Sequence, residues 1–210
     1  MTQNWRKNML RQRTRSVWIF ASVLVLPLIV TAQQAKLVPA KPAELRDIES
    51  KLDTKLMPDD ARSPHLEDTQ VFNLVAPNIV KIALAPVTFE ISMEHEAGSS
   101  TKTDCGIFLI PTNGPTNFIW TTGKVNYEAG LTECGGVQAV GLQPVANSSP
   151  SLIVIFTGHN LHEDFSDFYV LSWDKAAKTY QIDEGWMESI AAHVKVFTIK
   201  NIKQFMSQAR

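Results

Sequence analysis

The chain has 210 residues, with 20 Lys and Arg against 21 Asp and Glu and a formal net charge of −1. Nucleic-acid binding, whose phosphates demand a basic face, is argued against by the acidity of the expected mature chain, a formal charge of −6 once residues 1–32 are removed. With two cysteines in the whole chain, a small multiply bridged scaffold is excluded as well.

The charge is unevenly placed. Arg6, Lys7, Arg11, Arg13 and Arg15 fall in the first sixteen residues with no acid, and Val17 to Val30 follow with only Ser22 breaking the apolar run. Val30, Thr31 and Ala32 then give a small-x-small site. A basic segment, a short apolar segment and such a site make a secretory signal peptide over residues 1–32, with the cut predicted after Ala32. The rival, an uncleaved anchor, needs about 20 apolar residues to span a bilayer, and this run is shorter. No cysteine precedes Cys105, which rules out a lipoprotein anchor at that cut, and no adjacent arginines suggest a twin-arginine route. The expectation is export to the bacterial periplasm, with no stable membrane anchor after cleavage.

Removal of residues 1–32 leaves 178 residues, with 15 Lys and Arg against 21 Asp and Glu, a formal charge of −6. That length fits one domain, large enough to bury a real core. Its acidity suits a protein partner with a basic surface. In an oxidising compartment Cys105 and Cys134 read as a disulfide. A catalytic thiol is the competing reading, but it needs a basic neighbour and must escape oxidation.

Residues 33–42 hold two prolines and no periodicity, and read as a flexible tether before a domain over 43–210. From Pro42 a helix is expected, with Leu45, Ile48, Leu52 and Leu56 on one stripe and a stop at Pro58. Ser63 and Pro64 look like the cap and first position of a second short helix carrying Leu66, Val71, Leu74 and Val75, stopped by Pro77. Periodicity does not decide between helix and strand over 79–85.

Val87, Phe89, Ile91 and Met93 alternate with Thr88, Glu90, Ser92 and Glu94, so a strand is predicted with one face on a core. Ala97 to Ser100 turn it. Cys105 to Ile110 reads as a central strand, Pro111 to Thr116 as a turn, and Phe118 to Trp120 as the return of a hairpin. Val137 to Leu142 suggests a strand within a Gly-, Asn- and Ser-rich region. Leu152 to Phe156 is a buried strand; Phe168 to Trp173 comes back after a polar loop and turns into Thr179 to Ile182. Helical spacing then returns twice, in Met187, Ile190, Ala191 and Val194, and in Ile199, Ile202, Phe205 and Met206 with Thr198 as cap. The fold class expected is α+β, a single domain built on a mainly antiparallel sheet flanked by N-terminal and C-terminal helices.

The loop between the two buried strands gathers His159, His162, Glu163, Asp164 and Asp167 within nine residues. Imidazole and carboxylate are usual zinc ligands, yet the spacing matches no metalloprotease or structural-zinc signature, and a solvated loop has the same composition. Glu94, His95 and Glu96 form a second cluster that could approach the first, although charge at a strand end also discourages edge pairing. No nucleophile elbow, phosphate loop or dinucleotide motif occurs, so no catalytic residue is assigned. The sequon at Asn147 reads as a turn. Phe165, Phe168, Tyr169, Trp173, Tyr180 and Trp186 lie among Glu163, Asp164, Asp167, Asp183 and Glu184; exposed rings beside carboxylates would make a protein-binding patch, while buried ones are simply core.

The leading reading is an exported, non-enzymatic binding protein, such as an inhibitor or immunity protein for an envelope-acting toxin or hydrolase, binding through Glu163, Asp164, Phe165 and Asp167 and needing no cofactor. The alternative is a metal-dependent hydrolase holding zinc with His159 and His162, with Glu163 or Asp164 activating a bound water.

Overall fold

Most strands in this chain carry apolar residues on both faces, and such strands are stable only when each face is covered. The computed structural model satisfies that demand with two stacked antiparallel sheets and helices on their outer sides. It describes residues 34–77, 79–95, 98–121, 133–145, 148–159 and 163–209, with only the backbone at 93–95; the signal-peptide reading of residues 1–32 lies outside them. The described residues belong to one compact unit, 33–210, and among them no helix is long and apolar enough to cross a membrane.

The first sheet contains β1 (Lys36–Pro39), β2 (Ala61–Leu66), β3 (Phe72–Ala76), β4 (Ile79–His95), β5 (Gly98–Pro111) and β6 (Asn117–Trp120), in the order β1-β3-β4-β5-β6 with β2 also paired to β4. The second contains β7 (Glu133–Gln143), β8 (Ser151–His159), β9 (Asp164–Asp174) and β10 (Thr179–Ile182), in the order β10-β9-β8-β7. Helix α1 (Pro42–Glu49) lies early in the chain, while α2 (Glu184–His193) and α3 (Ile199–Gln208) end it.

Alternation along each strand sorts side chains into three apolar layers. Between the sheets, Ile82, Leu84, Ile107 and Leu109 meet Leu152, Val154, Phe156, Tyr169 and Leu171. On the far side of the first sheet, Ala83, Ala85, Val87, Phe89 and Phe108 pack with Ile48 of α1 and Met57. On the far side of the second, Ile153, Ile155, Phe168 and Val170 take Ile190 of α2 with Ile202 and Met206 of α3. The period-two segment from Val87 therefore forms a strand as expected, but its apolar face looks onto the α1 side and not into the space between the sheets.

Cys105 of β5 and Cys134 of β7 stand at bonding distance, with Cα atoms 5.7 Å apart, and so tie the two sheets together. Both are buried. Pro86 interrupts β4 where β3, paired to Ile79–Leu84, gives way to β2, paired to Val87–Ile91; at that changeover a missing amide hydrogen costs least.

Three expectations are corrected. The segment 33–42 is not wholly a tether, since Lys36–Pro39 pairs with Phe72–Val75. The second short helix does not form: its residues make β2, a 3-10 turn at Asp68–Gln70 and β3. Leu66, Val71 and Leu74 are buried, but Leu66 and Leu74 lie on strands paired with β4, and Pro64 sits within the register shift between Arg62 and His65 instead of opening a helix. The first helix stops at Glu49, after which Thr54–Leu56 is a 3-10 turn and Leu56 is exposed.

Candidate functional site

Strands β7, β8 and β9 bring their ends together at the side of the sandwich where Cys134 lies. Here Glu133 pairs with His159, and His159 with Asp164. Even-numbered residues of β9 face the helices and odd-numbered ones face the first sheet, because Phe168 and Val170 belong to the outer layer and Tyr169 and Leu171 to the inner one. Asp164 and Ser166 therefore project on the helix side, Phe165 and Asp167 on the other.

Glycines shape this end. An added Cβ at Gly135 would collide with the His159 ring, and one at Gly158 with the Phe165 ring; each ring takes the space that the glycine leaves open. His159 Nδ1 bonds Asp164 Oδ1 at 2.5 Å, with side chains 43% and 74% exposed, so the pair stabilises the fold little. Beside it Gln138 Nε2 donates to Thr157 Oγ1 (2.6 Å) and its Oε1 accepts from Ser166 Oγ (3.4 Å). Glu163 is exposed.

Strand β10 is short. It covers only Leu171–Asp174 of β9, since the chain turns at Asp183 into α2, whose first turn Asp183 caps by accepting from the Trp186 amide (3.1 Å). Val170 accepts from the Asp183 amide (2.8 Å). By alternation the amides and carbonyls of Phe168, Ser166 and Asp164 point the same way, beyond the end of β10, where no described strand pairs with them. The Phe168 amide is met from within: Asp167 Oδ1 accepts from it at 2.8 Å. Burial pushes the Asp167 carboxyl above the usual aspartate range, and the bond from Phe168 pulls it partly back.

A groove of about 340 Å³ runs along this open edge, walled by Phe168, Tyr169, Ile182, Met187 and Ala191 and carrying the carboxylates of Asp167, Glu184 and Glu188.

Of the residues singled out in the sequence, Asp164 and His159 come together; Asp167 and Phe165 lie on the opposite face of β9. His162 lies outside the described residues, as do Asn147, Glu96 and the side chains of Glu94 and His95. Among the described residues, no three of His, Cys, Asp or Glu gather as a metal site. Most of the aromatic group is core: Phe168, Tyr169 and Tyr180 are buried, and Trp173 packs edge-on against Tyr180 at 5.3 Å. Glu188 was not singled out from the sequence, although Glu184 and Glu188 stand four apart on a helix and flank Met187, a spacing that puts both acids on one face. Compared with protein-family models, curated proteins and solved structures, the chain has no significant match in any of the three.

Proposed function

We propose that the chain is an exported, non-enzymatic binding protein that takes an extended, basic segment of a partner protein along the open edge of β9, as an inhibitor or immunity protein does when it occupies an envelope-acting toxin or hydrolase. The supporting observation is the groove at Asp167–Tyr169, where the open edge of β9, an apolar wall and three acidic residues coincide. Strand addition draws affinity from main-chain hydrogen bonds and specificity from side-chain pockets. Here Met187 and Ile182 would receive an apolar side chain, while Asp167, Glu184 and Glu188 would face Lys or Arg of the incoming strand. Carboxylates of this kind steer encounter and select against acidic partners. The mature charge of −6 acts in the same direction.

Immobilised protein should capture a discrete partner from envelope extract, less well at high salt, where exposed charges are screened. Two variants separate the contributions. Ser166→Pro removes an outward amide from an edge strand that tolerates proline, and the triple change Glu163→Ala, Asp164→Ala, Asp167→Ala removes charge. Loss of capture in both supports the proposal. Capture of the same partner undiminished by either overturns it.

A further inference from the structure

At the opposite end of the sandwich, away from the Cys105–Cys134 bridge, the two sheets enclose a cleft of about 870 Å³. Its mouth lies between the turn joining β5 to β6 and the turn joining β9 to β10. The interior is apolar: Ile82 and Leu109 belong to the inter-sheet core, and Ile79 and Trp173 pack against it. Trp173 is held in place by its contact with Tyr180, whose hydroxyl donates to the Pro150 carbonyl (3.0 Å). Across the cleft Asn117 Nδ2 donates to Thr179 Oγ1 (3.2 Å), linking β6 to β10. The walls are thus fixed by core packing and cross-sheet bonds, as in a preformed small-molecule site of ordinary size.

The polar part of the lining is one-sided. Lys175 and Lys178 stand at the mouth, and among the described residues no Asp or Glu lines the cleft, although acids outnumber bases in the chain. Both lysines are exposed. The neighbouring acid, Asp174, is turned away, accepting from the Ala176 and Ala177 amides (2.7 and 3.1 Å) to shape the turn. Lys178 adopts a left-handed backbone, φ 52°, which closes that turn back onto β10. Val80, 49% exposed, adds an apolar lip.

We infer that this cleft binds a free, single-tailed amphiphile with an anionic head group, its tail against Ile82, Leu109 and Trp173 and its head between Lys175 and Lys178. An apolar interior selects the tail by burial, and two cations, with the one neighbouring carboxylate engaged by the turn amides, select the sign of the head.

Calorimetric titration below micelle formation tests this with three probes: dodecanoate, dodecyltrimethylammonium, and phosphatidylglycerol vesicles. Dodecanoate is expected to saturate one site, with the cation of equal tail length at least about tenfold weaker. Changing Lys175→Glu and Lys178→Glu together should weaken dodecanoate by a similar factor while leaving the thermal midpoint in place. Thr116→Trp, which crowds the mouth, should weaken both soluble probes. Equal affinity for the two soluble probes, no saturable dodecanoate binding, or binding to vesicles alone would each overturn the assignment. None of these outcomes depends on the β9 edge, so this inference and the proposed function fail separately.

Discussion

Asp167 faces the inter-sheet side of β9 opposite Phe156, and its setting makes ionisation cost more in the fold than in the open chain. With the folded value raised above the ordinary 3.8, the native state binds the proton more tightly than the unfolded state does. Stability from this group is therefore fully present below the ordinary value and is lost as pH climbs through the raised one. An asparagine keeps the shape and the acceptor for the Phe168 amide but cannot ionise. Asp167→Asn is expected to raise the urea midpoint at pH 7 and to leave it unchanged at a pH below the ordinary aspartate value. A midpoint difference of the same size at both pH values would refute the desolvation account. The same carboxylate closes an edge amide from within, so the charge an incoming basic strand would neutralise is one that the fold carries at a cost.

Elements were readable wherever one face of a segment meets a dry layer and the other meets water. Val87 to Ile91 declared itself in this way, as did α3, whose Ile202 and Met206 are buried while Lys200 and Gln204 stay exposed. By contrast, Leu66, Val71 and Leu74 are spaced as a helical stripe, and it is pairing with β4 that draws Leu66 and Leu74 into strands instead. Lys36–Pro39 offered no signal at all, because a four-residue edge strand with no buried side chain has no period to read. Local caps fared better. Thr198 accepts from the Asn201 amide at 3.1 Å, satisfying one of the orphan donors at the start of α3. Replacing it with alanine should cost about 1 kcal/mol in urea unfolding, within a range of roughly 0.5–2; no measurable loss would mean that α3 is held by its buried face alone.

At the scale of the molecule, the polar residues of the β8–β9 end were legible as composition, whereas the groove beside them was not. Its existence depends on β10 stopping at Ile182 and on α2 presenting Glu184 and Glu188 to β9, which are consequences of tertiary packing. The cleft is further from view still, since its lining comes from segments separated by about a hundred positions. What the sequence did carry at this scale was the cysteine pair, and its placement gives the bridge a definite task. Cys105 and Cys134, 29 positions apart, join one sheet to the other across the inter-sheet core. Closing a loop of that size removes entropy from the unfolded chain worth roughly 3–4 kcal/mol in the chain-entropy model. Both sulfurs are buried, so native protein should resist reductant until it opens. The expectation is that Cys105→Ala with Cys134→Ala lowers the unfolding free energy by about that amount, with an m-value that rises because the unlinked chain exposes more surface. Loss of a much smaller amount, with an unchanged m-value, would show that the two sheets are held by their apolar faces and that the bridge adds little to them.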